Sequence, residues 1–489
     1  MDLRQDVCRL LEEIGPGWMT STAYDTAWIA RLGELGEPMS EQALEWLRAH
    51  QLSDGTWGTN VPRYYHDRVI CTLAAMPVLA RSGTAQDRIR CQRAQMALKT
   101  TIKGLQADQA GQTAGFEMIA PTLMAEAEDM GLVRRQDSAV LAYLDRYRAA
   151  KLDALPGGRI NRFAATAFSA EMAGPDGLHL LDVENLQEAN GSVGHSPSAT
   201  AYFALHVRPQ DPAALTYLRQ VVTDGGAPNV APFDVLEQAW MLWNLSLAAP
   251  LDDELLALCR PRLDFLEAEY VPGQGIGLAA GYTPKDSDVT ALVYEVLTRF
   301  DRSADLDAVL HYEQQTHFRC HALETVPSIS ANIHALGALR QAGLKAEHPS
   351  VAQVTRLLFN AQTLKLFWFD KRHASPYYPT THAIIACAGY VDWLIDDAVY
   401  WILATQNLDG SWGYHTSTAE ETAYCLQALV TYKRHGHPVP DDALERGAAW
   451  LAEHAEPPYP PLWIGKCLYC PELMVRSATL SALMLAAQG

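Results

Sequence analysis

Apolar side chains recur along the chain with helical spacing. Ala43, Leu44, Trp46 and Leu47 fall on one face, Ala199, Tyr202, Phe203 and Leu205 on another, and the run from 291 to 300 repeats the pattern. Strand-like alternation is rare, and glycine and proline punctuate segments of roughly 12–18 residues. The pattern predicts an all-α protein built from many short helices.

A short repeat adds architecture to that picture. Gln51-Leu-Ser-Asp54-Gly55-Thr-Trp57-Gly58 recurs as Gln406-Asn-Leu-Asp409-Gly410-Ser-Trp412-Gly413, with a worn copy at Gln187-Glu-Ala-Asn190-Gly191-Ser-Val-Gly194. Each copy sets a glutamine near a helix end, then a tight turn; the full copies add an indole that can stack and donate its N–H. Such units pin helix ends together in α/α toroids. One full copy near residue 50 and one near 410 predict two helical barrels. The expected division is an N-terminal segment 1–20 packed on the second barrel, a first barrel over 21–205 and a second over 206–489. Asp224–Pro228 and the glycine-bearing stretch Pro272–Gly281 are expected to be loops that line a site.

Composition narrows the function. At 489 residues the chain exceeds a single core, and 48% hydrophobic residues suffice to fill two. A net charge of −19 disfavours nucleic acid and anionic membrane surfaces as partners. An odd set of nine scattered cysteines points to a reducing compartment, with the lone pair Cys467 and Cys470 expected to be packed thiols. The N-terminus lacks the pattern of a signal peptide, and no apolar run reaches the ~18 residues of a membrane span, so a cytoplasmic protein is expected.

The candidate chemistry lies in Asp286-Ser287-Asp288-Val289-Thr290, just before an apolar helix from Ala291. An Asp-x-Asp at such a place commonly caps the helix or binds a metal. The surrounding motifs point elsewhere. They include Ser21-Thr-Ala-Tyr24-Asp25-Thr-Ala-Trp28, Gly115-Phe116-Glu117 through Leu123, and Asn190 through Ala199. Further along stand Pro327-Ser328-Ile-Ser330-Ala-Asn332-Ile-His334, Asp370-Lys371-Arg-His373 through Tyr378, Ala419 through Tyr424, and Pro461-Leu-Trp463-Ile-Gly-Lys466-Cys-Leu468-Tyr469. Over nearly its whole length the sequence resembles bacterial class II diterpene cyclases, in particular the halimadienyl (tuberculosinyl) diphosphate synthase type of mycobacteria.

That resemblance implies the βγ pair of α-barrels and an isomerase-type enzyme that protonates an alkene of a prenyl diphosphate and keeps the diphosphate. The family's middle aspartate supplies the proton, here Asp288 with Asp286 beside it; Val289 departs from the family's Asp or Thr and removes one polar partner. An alkene is a very weak base, so the donor must be a neutral carboxylic acid, whereas a free aspartate with a pKa of about 3.9 is ionised at neutral pH. Burial and the neighbouring Asp286 are expected to raise Asp288. Cations would need aromatic faces; Tyr282, Trp240, Phe318, Trp368 and Tyr378 are candidates by proximity to motifs. Arg159, Arg162 and Lys466 are candidate diphosphate ligands, with Mg²⁺ bridging and Glu117 a conceivable ligand. Members that stop at a copalyl skeleton use a His–Asn dyad to reach water; here Phe168 takes the His position while Asn229 is kept. A longer-lived cation is then expected to rearrange to a halimadienyl or clerodane (kolavenyl) skeleton of geranylgeranyl diphosphate, handed to a downstream diphosphate-processing enzyme. The alternatives are a labdadienyl or copalyl product, a drimenyl product from farnesyl diphosphate, and a non-catalytic helical scaffold. Asp441-Asp442-Ala-Leu-Glu445 imitates a class I ionisation motif but opens a helix, where capping accounts for it.

Overall fold

The structure, a computed structural model, describes residues 2–134, 143–324 and 326–488. Its first lobe contains α2 (Ala23–Arg31), α3 (Met39–Ala49), α4 (Tyr65–Ser82), α5 (Ala85–Lys103), α6 (Phe116–Asp129), α7 (Leu144–Asp153), the 3₁₀ segment Ala165–Ala173, α8 (Pro197–Tyr202) and α9 (Pro212–Val221). Here α2, α4, α6, the 3₁₀ segment and α8 touch in turn, and α8 closes back on α2. The second lobe contains α10 (Asp234–Leu247), α11 (Asp253–Glu269), α12 (Ser287–Arg299), α13 (Asp307–Leu310), α14 (Ile329–Gln341), α15 (Pro349–Ala361), α16 (Tyr377–Cys387), α17 (Asp396–Ala404), α18 (Ala419–Arg434), α19 (Asp441–Glu453) and α20 (Glu472–Gln488). Helices α10, α12, α14, α16, α18 and α20 form a closed inner ring, and the others pack outside it. α1 (Leu3–Glu12) fills an outer place against α11 and α20, an α/α toroid completed by the chain's own beginning.

Local chemistry explains where the inner helices start. Thr22, Ser196, Ser328 and Thr418 cap α2, α8, α14 and α18 with side-chain oxygens that accept first-turn amides. Asp286 does the same for α12, accepting from the Val289 N–H at 2.9 Å.

Two apolar cores match the two lobes. Val7, Leu10, Leu11 and Met19 belong to the second. Ala214, Leu215, Tyr217 and Leu218 belong to the first, which therefore runs past the expected boundary at 205 and ends before Phe233 enters the other core. The apolar face of α9 decides this, because it faces the first lobe and must be buried there. Two short antiparallel strand pairs accompany the helices. β1 (Ser21–Thr22) pairs antiparallel with β2 (Ala227–Pro228), Ser21 opposite Pro228. β3 (Trp463–Ile464) pairs with β4 (Leu468–Tyr469), Trp463 opposite Tyr469. Among the described residues no helix is long and apolar enough to cross a membrane.

The repeat works as a pin. Gln51 and Gln406 donate to the carbonyls of Gly55 and Gly410 and reach across to Arg90 and Ala443. Trp57 and Trp412 donate their indole N–H groups to Leu47 and Ile402 at 2.8 Å. Trp368 repeats this geometry, its indole on the Leu358 carbonyl at 2.7 Å and Gln362 on Leu394 at 3.1 Å. Trp368 is thus a third full copy of the architectural repeat, which corrects its assignment to the cavity. The copy is hidden in the sequence because Lys365 and Leu366 stand where the other full copies have Asp-Gly, and the turn takes its positive φ at Leu364 and Lys365, 54° and 63°.

Candidate active site

Each repeat unit of the second lobe clamps the peptide before an inner helix onto one polar side chain of that helix. Thr290 receives the N–H of Ile276 at 3.0 Å, Asn332 that of Phe318 at 2.8 Å, Thr380 that of Trp368 and Thr422 that of Trp412, both at 3.0 Å. Residues two before and two after such an anchor lie i, i+4 apart and share a helix face. They are Asp288 and Leu292 on α12, Ser330 and His334 on α14, Tyr378 and His382 on α16, and Glu420 and Tyr424 on α18. The side chains meet inside the ring. His334 Nδ1 is 2.6 Å from Asp288 Oδ1, His334 Nε2 is 3.0 Å from His382 Nδ1, and the Tyr378 ring lies 4.4 Å from His382 and 5.6 Å from Tyr424.

At Asp288 the first carboxyl oxygen is occupied by His334, while Oδ2 has the Arg372 Nε at 3.8 Å and its side chain keeps 8% exposure. Burial pushes this carboxyl up, but His334 and then Arg372 outweigh it and hold Asp288 below the ordinary aspartate range. The raised carboxyl is Asp286, pushed up to about 7 by burial with Asp288 adding to it and Arg372 opposing. The expectation of a raised Asp288 is corrected accordingly: the sequence shows the adjacent carboxylate but not the two cationic or protonatable groups that the fold brings from 46 residues away on α14 and from the loop before α16. Burial drives His382 well down, so its ring stays neutral; it stacks on Trp243 at 4.5 Å, with Nε2 unpartnered. With His382 neutral and 3.0 Å from His334 Nε2, His334 meets Asp288 through its Nδ1–H. A transferable proton then belongs on Oδ2.

Aromatic rings continue from this acid. Trp240 stands edge-on to His334 at 5.4 Å, donates to the Tyr378 hydroxyl at 3.3 Å and lies 6.1 Å from Trp463, itself 5.1 Å from Tyr378. Of the predicted aromatics, Trp240 and Tyr378 therefore line this group. Tyr282 is buried beside His195, 5.0 Å ring to ring, and feels Asp286. Phe318 is fully buried, and its peptide is gripped at both ends by Asn332.

The remaining predicted residues lie on the first lobe and at the joint. Phe168, Asn229 and Lys466 do come together. The Lys466 ammonium lies 4.5 Å from the Phe168 ring centre, and its backbone N–H donates to Asn229 Oδ1 at 3.2 Å. Lys466 is 0% exposed and bonded to Glu171 at 2.5 Å and to Ser196 and Ser198 at 2.7 Å. This corrects its reading as a diphosphate ligand, because its donors already serve buried acceptors. Arg159 is exposed, and Arg162 is half-buried with its guanidinium on the Gln187 carbonyl at 3.0 Å. Neither reaches the acid. Asp441 and Asp442 sit on the surface, paired with Lys433 and Arg446.

Magnesium calls for several hard oxygen donors. Glu117 offers a carboxylate, but it is ion-paired with Lys151. Among the described residues the sole three-donor cluster is Asp67, Cys71 and Cys467, a thiol-rich set that does not suit magnesium. The side chains thus do not assemble a magnesium site by themselves. Cys467 is a buried free thiol, as expected, though its neighbour is Cys71 at 3.5 Å and not Cys470.

His334, His382, Arg372 and Trp463 were not singled out from the sequence. For the two histidines the signal is a polar anchor two residues ahead, Asn332 and Thr380; Arg372 and Trp463 lie outside the inner helices and carry no such mark.

Comparison with known proteins bears on this geometry. The chain is 46% identical over 479 residues to the type B diterpene cyclase of Mycobacterium tuberculosis, covering 96% of both chains. It is 28% identical to the (+)-kolavenyl diphosphate synthase of Herpetosiphon aurantiacus over 100% of this chain and 98% of that one. Its fold superposes on the ent-copalyl diphosphate synthase of Streptomyces platensis with a TM-score of 0.80 at 29% identity, covering all of both chains. No protein-family model matches it. With a relative so similar over so much of its length, and with a carboxyl group set among aromatic faces in the ring of its second barrel, the chain belongs to the class II diterpene cyclases, enzymes of the isomerase type.

Proposed function

We propose that this cyclase protonates geranylgeranyl diphosphate with Asp288, retains the diphosphate, and forms a rearranged bicyclic diphosphate of the halimadienyl or kolavenyl type. The observation that carries the reading is the Asp288 carboxyl with one oxygen held by His334 and the other left open beside Arg372. Protonating an isolated alkene demands a strong acid. Neighbours that stabilise the carboxylate left behind make Asp288 a stronger donor than free aspartic acid, at the expense of its protonated fraction. Asp286, pushed up to about 7, is the adjacent store from which a proton can be shared. Once the proton has moved to carbon, positive charge develops at tertiary centres, where the faces of Trp240, Tyr378 and Trp463 attract it and offer no nucleophile.

Arg159 and Arg162 remain the candidates for the diphosphate, on the first lobe. Rearrangement is supported by Phe168, a ring that cannot take a proton and whose face is already engaged by Lys466. The name of the Herpetosiphon relative, a kolavenyl diphosphate synthase, agrees with a rearranging branch.

The test is incubation with the C20 and C15 prenyl diphosphates, dephosphorylation and GC–MS of the alcohols. Rearranged bicyclic C20 alcohols are expected, and Asp288→Asn should lower their formation by about 10³-fold or more. Parental turnover in that variant ends the proposal, as does an unrearranged labdane or a drimane as the main product for its product half. Phe168→His should divert product towards the unrearranged skeleton.

A further inference from the structure

Glu420 lies on the bore face of α18, 0% exposed. Its hydrogen bonds all fall on one oxygen: Oε1 accepts from Trp463 Nε1 at 2.8 Å, the Tyr424 hydroxyl at 3.0 Å and His373 Nε2 at 3.2 Å. Oε2 has no partner. His373 Nδ1 faces Ser375, 3.1 Å from its amide, which donates to it, and 3.3 Å from its carbonyl, while Nε2 faces the carboxyl group. Among the described residues His373, at 3.2 Å, is the ion-pair partner of Glu420, and no lysine or arginine lies within that distance. Glu421, next in the chain, is different. Its two oxygens are met by Ser375, the Tyr414 amide and Thr418, as suits a carboxyl that only holds loops in place.

Three donors converging on one oxygen suit a carboxylate and not an acid. A buried carboxylate with no permanent cation beside it is costly in a dry interior. That cost disappears if a positive charge arrives during the reaction. Trp463 provides the connection, since its indole donates to Glu420 while its ring joins Trp240 and Tyr378, the group that begins at Asp288 through His334. An indole N–H bonded to an anion shifts electron density into the ring and deepens the negative potential of its face.

We propose that Glu420 is the buried counter-charge of the carbocation, acting through the Trp463 indole without touching the substrate. It is a positioning residue, and no bond to it forms or breaks. The proposal rests on the proton-initiated reaction given above.

The test uses the full-length protein and two unreactive analogues of the C20 diphosphate. One has a protonated nitrogen at the carbon that first bears positive charge, and the other keeps carbon there. In Glu420→Gln the affinity for the cationic analogue should fall on the order of tenfold or more, with the neutral analogue's affinity unchanged. Its Tm should hold or rise, because a buried charge with no permanent cation beside it has gone. Trp463→Phe, which keeps a ring but loses the N–H, should show the same selective loss. Equal losses for both analogues, or none, overturn the proposal. A parent protein that does not prefer the cationic analogue overturns it too, and with it the carbocation reading of the whole site.

Discussion

At the scale of single residues, burial and charge act in opposite directions on neighbouring carboxyl groups. Asp286 is left with burial uppermost and rises to about 7, whereas Asp288, two residues on, gains His334 and falls. Away from the acid, Glu237 is raised chiefly by burial, with the Trp18 amide opposing and Asp234 adding. It accepts the Trp18 amide at 2.9 Å, its other oxygen has no partner, and it is pushed up from 4.5 to about 7. A carboxyl raised on folding keeps its proton longer in the native state, so native stability declines as pH rises from about 4.5 to about 7 and levels off above. Glu237→Gln retains the acceptor for Trp18 and cannot ionise. It should gain on the order of 3 kcal/mol at pH 8, shrinking steadily towards pH 5, in urea unfolding at each pH.

At the scale of elements, the inner ring explains both ends of the second barrel. Five of its helices, α10, α12, α14, α16 and α18, bring their C-terminal ends to a cavity of about 260 Å³ lined by Arg299, Arg340, Arg434 and Glu295. Arg340 donates to the carbonyls of Ile385 and Ala386, and Arg434 to that of Leu247. Converging C-termini bring partial negative charge, so these guanidiniums are accounted for by the helix dipoles and carbonyls they satisfy. On the rim, the third repeat copy carries local strain. Leu364 is 79% exposed at φ 54°, a conformation costing about 1–2 kcal/mol for a residue with a β-carbon. Leu364→Gly should stabilise the protein by about 0.5–1 kcal/mol, since part of the relief is lost to the freer unfolded chain, with turnover unchanged.

For the whole molecule, the segment Leu462–Cys470 joins the lobes. Trp463 enters the aromatic group of the second, Cys467 the apolar core of the first, and Lys466 an ion pair with Glu171 between them. Its backbone is tied to both sides, Ile464 to Arg372 at 2.8 Å and Ala114 to Gly465 at 2.8 Å. Lys466→Met strands a buried carboxylate and should cost about 3–5 kcal/mol, much of it recovered when Glu171→Gln is added. A Lys466 that bound diphosphate would instead raise KM with Tm unchanged, so melting curves beside steady-state kinetics separate the two roles.

The all-helical class, the toroid repeat and the Asp286–Asp288 motif were legible in the linear order of residues, because helical periodicity, turn chemistry and a short motif are all set by near neighbours along the chain. The anchors Thr290, Asn332, Thr380 and Thr422 are equally present in the sequence, but they gain meaning only once each is seen clamping the peptide that precedes its helix. Closure of the ring brings His334 and Arg372 to Asp288 and Trp463 to Glu420, and the segment joining the lobes brings Lys466 to Glu171. Those pairings reset the charge balance of each group, since electrostatic energy depends on distance through space and on exclusion of water, and neither quantity exists until the helices pack.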